Sequence, residues 1–153
     1  LVLTRDFLPQ GGFERWKANR PEGFTVEPAS LRTAPDEKRV FEGSRSLRGV
    51  LSDKGKASIS ARIPFSGRRI SAALRAFLET EGENDLFVRL AVVPVDAAGK
   101  KGKMLSGRPL SSQGKWRPVS LSVSLPAGTK EVILSVLVEG RGRFWLDDLS
   151  VSD

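Results

Sequence analysis

Apolar residues along this chain recur at every second position rather than at every third or fourth. Ile70, Ala72, Leu74, Ala76 and Leu78 alternate with Ser71, Ala73, Arg75, Phe77 and Glu79. That is the two-residue period of a strand with one covered face. Val119, Leu121, Val123 and Leu125 alternate with serines at 120, 122 and 124, and Val132, Leu134, Val136 and Val138 with Ile133, Ser135, Leu137 and Glu139. Residues 86–95 are apolar on both faces except at Arg89, which predicts a central strand covered on both sides. Residues 142–151 predict a closing strand, and shorter strands are expected over 12–18, 24–27, 38–41, 46–51 and 56–63. No window carries apolar residues at helical spacing over three turns, so no helix is expected.

Turn chemistry separates these runs. Pro21-Glu22-Gly23, Ser52-Asp53-Lys54-Gly55, Pro64-Phe65-Ser66-Gly67, Glu81-Gly82-Glu83-Asn84, Ala97-Ala98-Gly99-Lys100 and Pro126-Ala127-Gly128-Thr129 all read as turns or loops. Around ten short strands at this spacing predict an all-β antiparallel sandwich or barrel. The length of 153 residues fits one domain over 1–153. The chain lacks an initiator Met and a signal-peptide pattern, so it is expected to be excised from a larger protein. Its longest apolar run, 90–95, is far short of the ~20 residues that a membrane helix needs, and no membrane insertion is expected.

Composition removes several chemistries. There is no His, Cys or Tyr. A His general base, a thiol nucleophile, a zinc knuckle and a disulfide are thereby excluded. Phosphate-loop and nucleophile-elbow patterns are missing as well, and the acids fall mostly in turns, so an enzyme is not expected. The net charge is +7. Lys and Arg are nevertheless scattered over loops and strand faces, without the interleaved aromatics of a single-strand-binding groove. Nucleic acid is therefore not the expected partner, and the charge serves solubility or attraction to an anionic surface. Trp16, Trp116 and Trp145 fall at strand positions where core or rim rings are ordinary. Glu14 near one end and Asp147-Asp148 near the other are oxygen donors of the kind a hard cation takes. On residues alone, pairing with Arg or turn capping accounts for them.

Four blocks, in order, resemble a known family. Gly11-Gly12-Phe13-Glu14-Arg15-Trp16 with Arg20-Pro21-Glu22-Gly23-Phe24 is similar to the opening of galactose-binding-like β-sandwich modules. Glu42-Gly43-Ser44-Arg45-Ser46-Leu47-Arg48 resembles their Gly-Ser turn and strand, and Lys115-Trp116-Arg117-Pro118-Val119-Ser120 a later strand. Gly142-Arg143-Phe144-Trp145-Leu146-Asp147-Asp148-Leu149-Ser150-Val151 is similar to their closing strand. The blocks span residues 11–151.

The resemblance implies a galactose-binding-domain-like jelly-roll β-sandwich of two antiparallel sheets. It further implies a non-catalytic carbohydrate-binding or accessory module, joined to other domains of a parent chain that is secreted, periplasmic or on the cell surface. It implies a structural Ca²⁺ with Glu14 and Asp147 as side-chain ligands, Asp148 as a second candidate, and carbonyls from the Gly43–Ser44 region. If the opening strand pairs beside the closing one, Glu14 and Asp147 approach each other. For a ligand, the concave sheet face offers Arg75 with Phe77, and Phe87 with Arg89. Such pairs suit an acidic or sulfated glycan, the guanidinium taking the anion and the ring giving stacking area. The alternative for these arginines is an ion pair with Glu79 or Glu139. The family's Trp after its Pro-x-Gly is Phe24 here, and Tyr is absent, which keeps a second function open: a structural or protein-interaction sandwich that binds no sugar.

Overall fold

The structure, a computed structural model, describes residues 8–82, 85–111 and 114–153. Among these, a 3-10 turn (Pro9–Gly12) precedes ten strands: β1 (Trp16–Lys17), β2 (Arg20–Pro21), β3 (Thr25–Glu27), β4 (Arg32–Asp36), β5 (Ser46–Pro64), β6 (Arg69–Glu79), β7 (Leu86–Asp96), β8 (Leu105–Ser106), β9 (Arg117–Ser124) and β10 (Thr129–Ser152). Glu83 and Asn84 of the expected 81–84 turn lie outside the described residues.

The fold is a jelly-roll β-sandwich, and every strand pair in it is antiparallel. β5 and β10 pair along almost their whole length and pass from one layer into the other. Layer I runs β4, the first part of β5, the second part of β10, β6 and β9. Layer II runs β3, the second part of β5, the first part of β10, β7 and β8.

The crossing point sits where Gly140 pairs with Gly55 and Gly142 with Leu51, with a register break between the two pairs. Gly140 and Gly142 have φ of +121° and +148°, where a side chain is disfavoured. A Cβ at Gly140 would also overlap the Asp85 carbonyl. This corrects two expectations. Residues 52–55 do not turn back: Leu51 and Gly55 both pair with β10, so the strand continues through the register break despite the turn-forming composition. Residues 129–139 and 142–151 are halves of one bent strand.

Alternation behaves as the period predicts. Ile70, Leu74, Ala76 and Leu78 on β6 are fully buried, as are Leu86, Val88 and Leu90 on β7. They meet Ile59, Ile63, Val132, Leu134, Val136, Phe144 and Leu146 in one core. The odd positions of β6 and β7 therefore face outward, each from its own layer.

Three short elements differ from expectation. β4 was hidden by Pro35, which an edge strand tolerates because its N–H side needs no partner. Residues 38–41 are not a strand. Asp36 Oδ1 accepts the N–H groups of Lys38 (2.8 Å) and Arg39 (3.1 Å), an Asx-type turn that ends β4 and redirects the chain. The opening segment 12–18 reduces to β1, which pairs with β2 and not with β10. The two chain ends still meet, by packing: the 3-10 turn lies on β10 so closely that a Cβ at Gly11 would overlap the Leu149 carbonyl.

Candidate functional site

On layer I, the strand period and register bring rings and guanidiniums to one outer face. Trp145 on β10 lies opposite Phe77 on β6 and Arg48 on β5. Phe77 meets Trp145 edge-on, with centroids 5.6 Å apart, and meets Trp116 at 5.8 Å. Phe41 continues the row at 5.8 Å from Trp116. The Arg39 guanidinium caps two of these rings, 4.2 Å from the Phe77 centroid and 4.3 Å from that of Trp145. Arg75 stands 4.8 Å from the Phe41 centroid. Each contact is a cation–π geometry within ~6 Å. The Trp145 side chain is only 5% exposed, and its Nε1 donates to Asp36 Oδ2 at 2.8 Å. Burial by itself raises the Asp36 carboxyl. The indole N–H, the N–H groups of Arg39 and Lys38 and the nearby Arg48 charge outweigh it and hold Asp36 below its ordinary value.

Beside Trp145 the same face opens into a cleft of about 370 Å³, lined by Arg32, Arg48, Arg143, Ala34, Val50 and Trp145 among others.

On layer II, Phe87 lies opposite Glu139, which lies opposite Lys56, and Arg89 lies opposite Leu137. These residues, with Pro109, line a groove of about 190 Å³. Phe87 and Arg89 therefore share a face with each other but not with Arg75 and Phe77, which sit on the outside of the opposite layer. One sheet face does not carry all four, because β6 belongs to layer I and β7 to layer II. The acids expected to pair with these arginines are engaged elsewhere. Glu79 binds Arg39 (3.2 Å) and Arg143 (3.5 Å), and Glu139 lies 3.9 Å from Lys56. Among the described residues, neither Arg75 nor Arg89 has a carboxylate partner.

The acidic residues singled out near the two ends are brought together. Asp147 is fully buried. Its Oδ2 accepts the N–H groups of Phe41 and Glu42, both at 3.0 Å, and its Oδ1 accepts that of Asp148 at 2.8 Å. Glu14 Oε1 accepts the N–H of Ser44 at 2.8 Å. The 41–44 segment is thus held between a carboxylate from β10 and one from the stretch before β1. Gly43 (φ +75°) lies so close to Glu14 that a Cβ would overlap Oε1. Burial pushes the Asp147 carboxyl above its ordinary value and the Glu14 charge pushes it the same way, against the three N–H donors. Asp148 is exposed and adopts a left-handed backbone (φ +53°) at the bulge in β10. Arg45 donates to the Glu14 carbonyl at 3.4 Å and lies 3.6 Å from Glu37.

The donor set of Glu14 and Asp147 contains hard oxygens only, which is the chemistry Ca²⁺ takes. Among the described residues no group of three acidic side chains gathers. A cation here would take its other oxygens from backbone carbonyls.

Sequence reading missed the layer I arginines other than Arg75. Arg32 sits on the unrecognised β4. Arg39 lies in the turn that replaces the strand expected over 38–41. The available signal was the alternation of Arg32 with Leu31 and Thr33 and of Arg48 with Leu47 and Gly49, which puts both arginines on an exposed face.

No protein-family model matches the sequence, and neither does any curated protein. Solved structures do match in fold. The TmCBM61 module in complex with β-1,4-galactotriose superposes with a TM-score of 0.68 at 16% identity, covering 96% of this chain and 97% of that one. The CBM22-1 xylan-binding domain of Paenibacillus barcinonensis Xyn10C superposes at 0.60 and 13% identity, covering 98% and 92%. The enzymatically active domain of bacteriophage CBA120 tailspike protein 4 superposes at 0.72 and 13% identity; the match covers 96% of this chain and 21% of that one, so this chain spans about a fifth of it. At these identities the likeness is one of architecture, and the chain has the β-sandwich fold of carbohydrate-binding modules.

Proposed function

We propose that this chain is a non-catalytic carbohydrate-binding module of an extracytoplasmic protein, accessory to other domains of its parent chain, and that it favours a glycan bearing negative charge. The observation that carries this reading is the layer II groove. There a Phe87 ring, the apolar Leu137 and Pro109, and an Arg89 without a carboxylate partner among the described residues converge, with the Glu139 carboxylate beside them paired to Lys56. A ring and an apolar floor suit the C–H face of a sugar, and a free guanidinium suits an anionic substituent. The net charge of +7 adds attraction over distance. A hydrolase reading finds less support. Asp147 is sealed from solvent, and Glu79 is shared by two arginines. Neither is placed as a working acid or base toward a bound sugar.

The test is a glycan array with the isolated protein, followed by calorimetry on the hits. Binding to acidic glycans above neutral ones, weakened in Arg89→Gln and Phe87→Ala, is the expected result. Signals flat across neutral and anionic glycans remove the proposal. They would leave the second reading, a structural or protein-interaction sandwich, which the burial of Trp145 and the capping of Phe77 by Arg39 favour.

Glu14, Asp147 and the carbonyls of the 41–44 segment are the groups that would hold a structural Ca²⁺. With Ca²⁺ bound to the native state alone, stability rises as the free ion exceeds its dissociation constant. EDTA is expected to lower Tm, added Ca²⁺ to restore it, and Asp147→Ala to abolish the response. A melt unmoved by EDTA means that the N–H groups of Phe41, Glu42 and Asp148 alone hold the carboxylate.

A further inference from the structure

The layer I cleft lies on the face opposite the Phe87–Arg89 groove and has a different construction. Arg32 on β4, Val50 on β5 and Arg143 on β10 form one row across three neighbouring strands. Arg48 stands in the next row, between Ala34 and Trp145. With strands ~4.8 Å apart and same-face residues ~7 Å apart along a strand, three guanidiniums spring from a patch about 10 Å by 7 Å. Arg32 and Arg48 are exposed, and the Arg143 side chain is 64% exposed.

Local acid does not balance this charge. Glu79 is the ion-pair partner of Arg143, but it also holds Arg39. Asp36 already accepts three N–H groups, from Trp145, Lys38 and Arg39. Arg32 has no carboxylate partner among the described residues. Three guanidiniums thus line the cleft and no carboxylate does; Asp36 and Glu79 stand at its edge, and Glu81 and Asp85 line the adjoining hollow beyond Arg143. Like charges grouped this closely repel unless an anion joins them.

The floor of the cleft is apolar. Val50 is 37% exposed, an unusual exposure for a valine in the middle of a sheet, and Ala34 beside it leaves space. Trp145, 5% exposed, held by Asp36 and covered by Arg39, closes one side of the cleft. A small apolar floor ringed by planar cations matches the C–H face of a sugar ring that carries an oxyanion on its rim. The guanidinium fork fits a carboxylate bidentately.

We propose that the cleft of Arg32, Arg48 and Arg143 is a second saccharide subsite that takes the carboxylate of a uronic-acid unit, its ring lying on Val50 and Ala34. The proposal rests on the carbohydrate-binding reading above and places a second contact on the other face of the sandwich. One chain would then be able to engage two strands of an acidic polysaccharide.

The experiment removes the groove first. Phe87→Ala/Arg89→Gln protein is titrated calorimetrically with an oligogalacturonate, with its methyl ester, and with a sulfated oligosaccharide. The expected result is retained binding of the oligogalacturonate and loss of binding to the uncharged ester. Arg32→Gln or Arg48→Gln in that background is expected to weaken the oligogalacturonate at least about tenfold, the scale of one hydrogen-bonded charge. Both replacements sit on exposed side chains, and an unchanged melt accompanies the result. Wild-type binding that vanishes entirely in the groove variant overturns the subsite and leaves the carbohydrate reading standing. Oligogalacturonate affinity unmoved by the arginine replacements also overturns it, as does binding of the sulfated probe alone. Wild-type protein that binds none of the three probes or any neutral glycan overturns both readings together.

Discussion

Asp147→Ala is the perturbation whose effect follows most directly from the structure. The carboxylate is fully buried and accepts three N–H groups at 2.8–3.0 Å, two from Phe41 and Glu42 and one from Asp148. Hydrogen bonds to a charged acceptor contribute ~1.5–3 kcal/mol each. Phe41, Glu42 and Asp148 are themselves exposed residues, so water reaches some of the donors once the carboxylate is gone. The substitution also relieves the burial and the repulsion by Glu14 that raise the Asp147 pKa. The net loss is then about 2–4 kcal/mol. For a chain of this size each kcal/mol moves Tm by ~2–4 °C, so a fall of about 4–16 °C is expected. Calorimetry in EDTA keeps metal out of the comparison. Hydrogen exchange should accelerate at the amides of Phe41 and Glu42, because their acceptor has been removed. Asp147→Asn should fall between the two: one oxygen still serves Phe41 and Glu42, while the amide NH₂ faces the Asp148 N–H. A Tm within about 2 °C of wild type, with unchanged exchange at Phe41 and Glu42, would refute the idea that Asp147 pins the 41–44 segment.

Two further perturbations test the packing and the electrostatics. Gly49 lies against the ring of the fully buried Phe144, and an added methyl overlaps that ring. Gly49→Ala should destabilise by ~1–3 kcal/mol through overpacking, and Phe144→Leu in the same chain should recover part of the loss in a denaturant titration. Carbon-detected NMR titration in EDTA should place Asp36 below the ordinary 3.8 and Asp147 above it. The signs oppose. Asp36 contributes stability above 3.8 that is lost as pH falls through its depressed folded value, whereas Asp147 adds a proton-linked increment, beyond the hydrogen bonds its ionised form keeps, that is full below 3.8 and is lost as pH rises through its elevated folded value. Trp145→Phe removes the indole donor and should move the Asp36 midpoint up; an unmoved midpoint contradicts the role of that hydrogen bond.

The fold was legible where alternation was strict. β6 and β9 keep an apolar inner face throughout and β7 is apolar on both faces but for Arg89, and the structure places all three within two residues of expectation. Legibility failed where tertiary pairing overrode local composition. Ser52-Asp53-Lys54-Gly55 carries turn chemistry, yet β5 runs through it because β10 supplies a partner on both sides of the bend. β4 was unreadable because its five residues include a proline and owe their extended form to the β5 edge. In the site, the meeting of Glu14 with the 41–44 segment and of Asp147 with the same segment came from the family resemblance, since nothing in the spacing of residues 14, 44 and 147 places them together. The face assignment failed for a simple reason. Parity along a strand says that Arg75 and Arg89 both point outward, but not which layer each strand joins. The arginine cleft was invisible because it is assembled across β4, β5 and β10, three segments more than a hundred residues apart at their extremes.

The central claim is that this sandwich binds a glycan, and that charge on the glycan strengthens the binding. Calorimetric titration of the wild-type protein with an oligogalacturonate and with its methyl ester, at low and at high salt, measures both parts at once. The account predicts tighter binding of the charged oligosaccharide, an advantage that shrinks as added salt screens exposed guanidiniums beyond ~10 Å, and weakening in Arg89→Gln. Equal absence of heat for both oligosaccharides and for neutral galactan and xylan at every salt concentration would contradict it.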